Sequence, residues 1–238
     1  MILSNGVAVP NAGFITNFVD TVAGIAKPVA EKLSKVKQTL FESGRINANV
    51  TYVGQLHWAP DGGSEHDHLI WNSQKKIADY LRQNSNKPIF LEGLNSLSPK
   101  YMRAENVAET RRLFPEQLPD NLDLLTQAQK NHFVRYGAAP ILHQLGMVTD
   151  LHPAISAEKD KEIRDQITSE RAKGNFDPLN PVLRPLMYDQ REQALTEKVR
   201  EYIAIPGNRD REIIIIYGAV HNLGKYFNNN TFQYVKTH

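Results

Sequence analysis

Four consecutive isoleucines, Ile213–Ile216, run straight into Tyr217 and Gly218. A half-buried strand alternates apolar and polar residues, because successive side chains face opposite sides of the sheet. A short run without alternation, closed by glycine, is apolar on both sides and fits a strand covered on both faces. "VTYVGQLH" (Val50–His57) and "PIFLEGL" (Pro88–Leu94) have the same apolar character and the same glycine. Helical stretches separate the three. Strands of this kind interleaved with helices predict an α/β fold, a mostly parallel sheet with helices on both faces. The 238 residues are enough to bury such a core.

The pattern predicts strands at about 48–55, 88–94, 147–153 and 211–219, with "TFQYVKT" near the end as an edge strand. Helices are expected at about 69–83, 103–113, 120–134, 137–146, 156–172 and 186–203. Ahead of them, Phe14, Phe18, Val22, Ile25, Val29, Leu33, Val36 and Leu40 recur at steps of three or four. That spacing makes residues 14–41 an amphipathic helix, kinked or divided at Pro28 and ended by Gly44. The chain therefore divides into an N-terminal helical extension, residues 1–46, and an α/β domain, residues 47–238. The extension packs on its own domain, on a partner chain or on a membrane surface. Lys27, Lys32, Lys35 and Lys37 favour the membrane, and Asp20, Glu31 and Glu42 oppose it.

Several function classes fall away. The net charge of +2 comes from 28 basic and 26 acidic residues that are well mixed, so nucleic acid is not the expected partner. Without cysteine there is no disulfide, thiolate metal site or cysteine nucleophile. No window approaches the roughly 18–20 apolar residues that cross a bilayer. The N-terminus lacks the basic and apolar regions of a secretory signal. A soluble chain is expected, cytoplasmic or exported without a recognisable signal peptide. No serine sits in a GxSxG context, and neither a P-loop nor a GxGxxG is present.

What remains is at the strand ends. Two apolar runs close with G-x-x-H, at Gly54/His57 and Gly218/His221, and a third match joins Gly63 to His66. With 14 Gly and 8 His in the chain, chance gives about half of one match. Glu92 directly follows Ile-Phe-Leu, where a bare buried carboxylate would be too costly. It must be solvated, paired or ligating. Ligands of open α/β sheets bind at the carboxyl ends of the strands, so His57, Glu92 and His221 are expected to share one pocket. The glycines let the backbone bend or a ligand come close. Each histidine also has a plain alternative as a hydrogen-bonded structural residue.

The ordered motifs "YVGQLH", "PIFLEGL", "DQREQAL" and "IIIIYGAVHNLG" resemble the superfamily that groups Tiki and TraB proteins, erythromycin esterases and ChaN-type haem-binding proteins. The resemblance covers about residues 48–227. It implies a site built from His57, Glu92, Arg191 and His221 at the carboxyl edge of a parallel sheet. It implies metal-dependent proteolysis in the Tiki manner, lactone hydrolysis in the esterase manner, or haem binding through histidine and tyrosine. The chain departs from the usual pattern in its long first loop, with Glu65, His66 and His68, and in the few residues after His221. His66 and His68 point the same way if that loop is extended.

Two imidazoles and a carboxylate suit Zn²⁺, Mn²⁺ or a similar ion, with His57, Glu92 and His221 as ligands and an open position for water. Such an ion would supply hydroxide near neutral pH. Without metal, His57 or Glu92 would act on water as general base. Arg191 would bind a substrate carboxylate or an oxyanion, or else pair with Glu92. Either scheme predicts hydrolysis of a peptide, ester or lactone bond in a peptide or small-molecule substrate. The alternatives are a non-enzymatic haem- or protein-binding module, with Tyr217 as the ferric ligand, and an exported effector or toxin domain.

Overall fold

The computed structural model describes residues 45–56, 64–94, 103–116 and 118–237. Residues 1–44, which include the expected helix at 14–41, and His57 lie outside the described residues. From Ile46 onward the chain is one compact unit.

Five strands form a single all-parallel sheet: β1 (Val50–Gln55), β2 (Ile89–Leu91), β3 (Leu151–Pro153), β4 (Ile213–Gly218) and β5 (Phe232–Lys236), in the order β3-β2-β4-β1-β5. The isoleucine strand β4 is central, and all six of its residues are buried. Its side chains divide by parity, as strand geometry requires. Ile214 and Ile216, with Val53 of β1 and Ile89 and Leu91 of β2, join one core cluster. Its other members include Ile77 and Leu81 of α1 (Ser64–Gln83), Phe133 of α3 (Gln127–Tyr136), and Ile141 and Leu142 of α4 (Ala138–Gln144). Ile213, Ile215 and Tyr217 join the other, with Val50, Tyr52, Phe90 and Phe227, and with Leu195 and Val199 of α6 (Gln190–Ala204). Full burial of one such side chain contributes about 1.5–3 kcal/mol. Two further helices, α2 (Ala104–Leu113) and α5 (Ala157–Ala172), bring the described α-helices to six.

The structure departs from the sequence pattern at particular chain ends. The first helix begins at Ser64 rather than near residue 69, so His66 and His68 are helical, exposed, and about 200° apart around its axis. They do not point the same way. The helix expected at 120–134 divides into a 3₁₀ turn, Leu122–Leu124, and α3. Thr126 explains the break. Its side chain caps the Gln129 N–H while Gln129 Oε1 accepts from the Thr126 N–H at 2.9 Å, a reciprocal cap that starts a new helix. The strand expected from residue 147 starts only at Leu151. Gly146, at φ 73°, turns the chain, and the N–H groups of Met147 and Val148 donate back to the Leu142 carbonyl instead of a neighbouring strand. The last long helix opens with a π-turn, Pro185–Asp189, before α6 proper.

Gly54 does not serve the purpose expected of it. It lies inside β1, paired with Tyr217 and Lys236, and a Cβ there would stand 2.6 Å from the Tyr234 hydroxyl and 2.9 Å from its ring. The missing side chain makes room for Tyr234 of β5, whose ring also packs on Tyr52 at 5.0 Å. Tyr234 is 48% exposed and can swing outward. Gly54→Ala is therefore expected to cost about 1–2 kcal/mol of unfolding free energy in urea. In a Tyr234→Ala background the cost should fall to near zero, and an equal cost in both backgrounds would refute the cradle.

Candidate functional site

β2, β4 and β1 are neighbours running in one direction, so their carboxyl ends share an edge. Gly218 is the junction there. Its N–H donates to Glu92 Oε2 at 2.7 Å. Its carbonyl accepts from the Tyr52 hydroxyl at 2.6 Å and from the His221 N–H at 3.1 Å. Glu92 is placed by its own N–H, which donates to the Ile216 carbonyl at 3.0 Å and continues the β2–β4 ladder one residue past the strand. Gly93, at φ 79°, then takes the chain away. Glu92 and His221 are thus gathered on one glycine.

The His221 ring is buried, with the rings of Tyr217 at 4.6 Å and Tyr188 at 5.5 Å beside it. Its Nδ1 lies 3.2 Å from Oε1 of Glu192 on α6. Glu192 is itself 2% exposed. Oε1 also accepts from the Asn222 N–H at 3.0 Å, and Oε2 faces Lys225 Nζ at 2.8 Å. Lys225 reaches Asp189 as well, at 3.0 Å. Burial opposes ionisation of Glu192, but the bonds from His221, Lys225 and the Asn222 N–H outweigh it and hold the carboxyl below its ordinary value. Burial likewise opposes the Lys225 ammonium, and its bonds to Glu192 and Asp189 raise its pKa in spite of that.

An ionised carboxylate only accepts, so Glu192 selects the His221 form with hydrogen on Nδ1. In the neutral ring the lone pair is then on Nε2. None of the described residues hydrogen-bonds to that nitrogen.

Arg191 precedes Glu192 and looks toward the other acids. Its Nη1 is 3.9 Å from Glu92 Oε1, and its Nη2 is 3.5 Å from Oδ1 of Asp160 on α5. Asp160 also holds Arg164 at 2.8 Å. Tyr217 lies fully inside, and burial, reinforced by the Glu92 charge and opposed by Arg191, pushes its phenol well above the ordinary range.

Of the residues singled out in the sequence, Glu92, Arg191, Tyr217 and His221 come together at this edge. β1 delivers its last residue, Gln55, opposite Gly218, but His57 lies outside the described residues. His132, His143 and His152 are occupied elsewhere, by Thr110, the Val148 carbonyl and Asp150. The sequence reading missed Glu192, Asp160, Lys225 and Tyr52. For Glu192 a signal existed. Glu192, Leu195, Thr196 and Val199 follow the i, i+3, i+4, i+7 rule, and all four are buried. A carboxylate on the apolar face of its helix needs a partner inside.

The proposed metal set fares differently. Among the described residues no three His, Asp or Glu side chains form a group that could hold an ion. Glu92 spends Oε2 on a backbone N–H and turns Oε1 toward a guanidinium, whose charge would repel a divalent cation. Glu92 so placed does not fit a metal ligand, and His57, the third residue of the expected set, lies outside the described residues. Haem fits no better at Tyr217, whose hydroxyl is enclosed and held in the protonated form. No described helix is long and apolar enough to cross a membrane. No protein-family model, curated protein or solved structure matches the chain.

Proposed function

We propose that the chain is a hydrolase of peptide, ester or lactone bonds in which His221 is the general base. The observation that carries this reading is the buried Glu192–His221 pair at the carboxyl end of the central strand. Burying an ionised carboxylate against an imidazole is an unfavourable way to stabilise a core and a recurrent way to prepare a base. Water bound at Nε2 gives up its proton to the ring, and Glu192 stabilises the imidazolium that results. The hydroxide attacks the carbonyl, and Arg191, whose ion pairs at 3.5 and 3.9 Å are looser than hydrogen bonds, answers the oxyanion or a substrate carboxylate. Collapse of the adduct breaks the bond from the carbonyl carbon to the leaving oxygen or nitrogen, which takes the proton back from the His221 imidazolium. Glu92 fixes the spacing between the guanidinium and the Gly218 junction. The motif order that resembles the Tiki, TraB and erythromycin esterase superfamily supports the same chemistry, and His57 enters the proposal from that resemblance alone.

The test is turnover of aryl esters, γ-lactones and a fluorogenic peptide mixture by the parent and by His221→Gln. Loss of His221 is expected to lower kcat by about 10²–10⁴-fold on whatever the parent cleaves, with the circular dichroism spectrum unchanged. Equal rates in parent and variant, or a parent inert on all three substrate classes, would sink the proposal.

A further inference from the structure

Behind the Glu192–His221 pair lies a surface groove of about 360 Å³, lined by Leu179, Arg184, Tyr188, Asp189, Val220 and Lys225 among others. Its size is in the range of small-ligand sites. Its charges are unequally engaged. Asp189 and Glu192 share the Lys225 ammonium, and Glu192 takes two further hydrogen bonds. Arg184 is exposed and pairs with no carboxylate among the described residues. Two other lining residues, Leu179 and Val220, are 71% and 76% exposed, aliphatic side chains left in water. The segment carrying Leu179 also exposes Phe176 and Val182.

A guanidinium without a carboxylate partner and exposed aliphatic side chains in one groove match one class of ligand. We infer that this groove binds a carboxylate with a short aliphatic chain, the carboxylate on Arg184 and the chain on Leu179 and Val220. Guanidinium groups hold carboxylates in a planar, two-point manner that an ammonium cannot reproduce. Covering the two aliphatic side chains adds the apolar part of the affinity. Glu192 also lines the groove, which brings the ligand site close to the carboxylate that holds His221. The inference goes beyond the hydrolase reading and does not depend on it.

Calorimetric titration of the full chain with sodium octanoate, and separately with octylammonium chloride, tests this. Octanoate should bind one to one, and octylammonium about tenfold more weakly or not at all. Arg184 and Val220 are exposed, so Arg184→Ala and Val220→Asp leave the fold intact. Each is expected to weaken octanoate about tenfold, a change of about 1.4 kcal/mol. His221→Gln should bind octanoate like the parent, which separates failure here from failure of the hydrolase proposal. Absence of saturable binding, equal affinity for anion and cation, or parent-like binding by Arg184→Ala would overturn the inference. Loss of binding in His221→Gln would overturn it too, by moving the ligand out of the groove.

Discussion

Glu192→Ala is expected to destabilise the protein by about 3–5 kcal/mol, the usual consequence of removing one partner from a buried charged cluster. The change leaves three groups without their acceptor: His221 Nδ1, the Asn222 N–H and one side of the Lys225 ammonium. Lys225 keeps Asp189, so the uncompensated groups are chiefly the imidazole and the backbone N–H. For a domain of this size the loss corresponds to a fall in Tm of about 6–20 °C, measurable by calorimetry. Glu192→Gln should cost less. Its amide oxygen can still accept from Asn222 and His221, but its NH₂ then meets the Lys225 ammonium, donor against donor.

The two variants also differ from the parent in a pH-dependent way. Glu192 has its folded pKa below the ordinary 4.5, so the unfolded chain takes up this proton first on acidification. Its contribution is fully present above the ordinary value and is lost as pH falls through the folded one. The stability gap between parent and Glu192→Gln should therefore be constant from neutrality down to about pH 5 and narrow below that. Urea midpoints collected across this range decide the matter. A gap that widened in acid would mean that the carboxyl is already protonated at neutrality, and the orienting role assigned to it would go with it.

His221 and Glu92 were legible because strand ends are marked in sequence by the loss of apolar character and the arrival of glycine. Neighbouring parallel strands then force those ends onto one edge, whatever the lengths of the helices between them. Strand order is a different matter. Nothing in the local pattern says that β4 inserts between β2 and β1, since that depends on which long-range pairing buries the most surface. Helix starts were misplaced where a side chain makes the decision, as Thr126 does. The partner of His221 was hidden for a simpler reason. In an isolated stretch of sequence Glu192 reads as one more solvated acid on a charged helix, and only the phase of Leu195, Thr196 and Val199 puts it inside. Gly54 shows the converse error. A glycine before a histidine invites a functional reading, while its cause is the ring of Tyr234, 180 residues away in the chain.

Gln74→Leu is expected to cost about 2–6 kcal/mol, although it preserves volume and adds apolar surface. Gln74 is 1% exposed and joins two elements that do not otherwise bond here. Its Nε2 donates to the Leu56 carbonyl at 3.0 Å, just past β1, and its Oε1 accepts from the Ala138 N–H at 2.8 Å, in the first turn of α4. Leucine leaves the Ala138 N–H buried and the Leu56 carbonyl part-buried, both unanswered, each at up to about 1–3 kcal/mol. The Leu56 N–H would remain bonded to Ser73 Oγ at 3.0 Å, and Ser73 in turn to Thr237 at 2.6 Å. The loss should therefore loosen the carbonyl side of Leu56 while its amide side stays tied. Native-state hydrogen exchange reads this directly. The Ala138 amide should lose most of its protection in Gln74→Leu, and the Leu56 amide should change only as much as global stability does. Gln74→Glu separates the two halves of the bridge, since a carboxylate can still accept from Ala138 but cannot donate to Leu56. A variant as stable as the parent, with Ala138 still protected, would show that water replaces the side chain. The exit of β1 would then owe its position to Ser73, Thr237 and the Ala219 N–H rather than to Gln74.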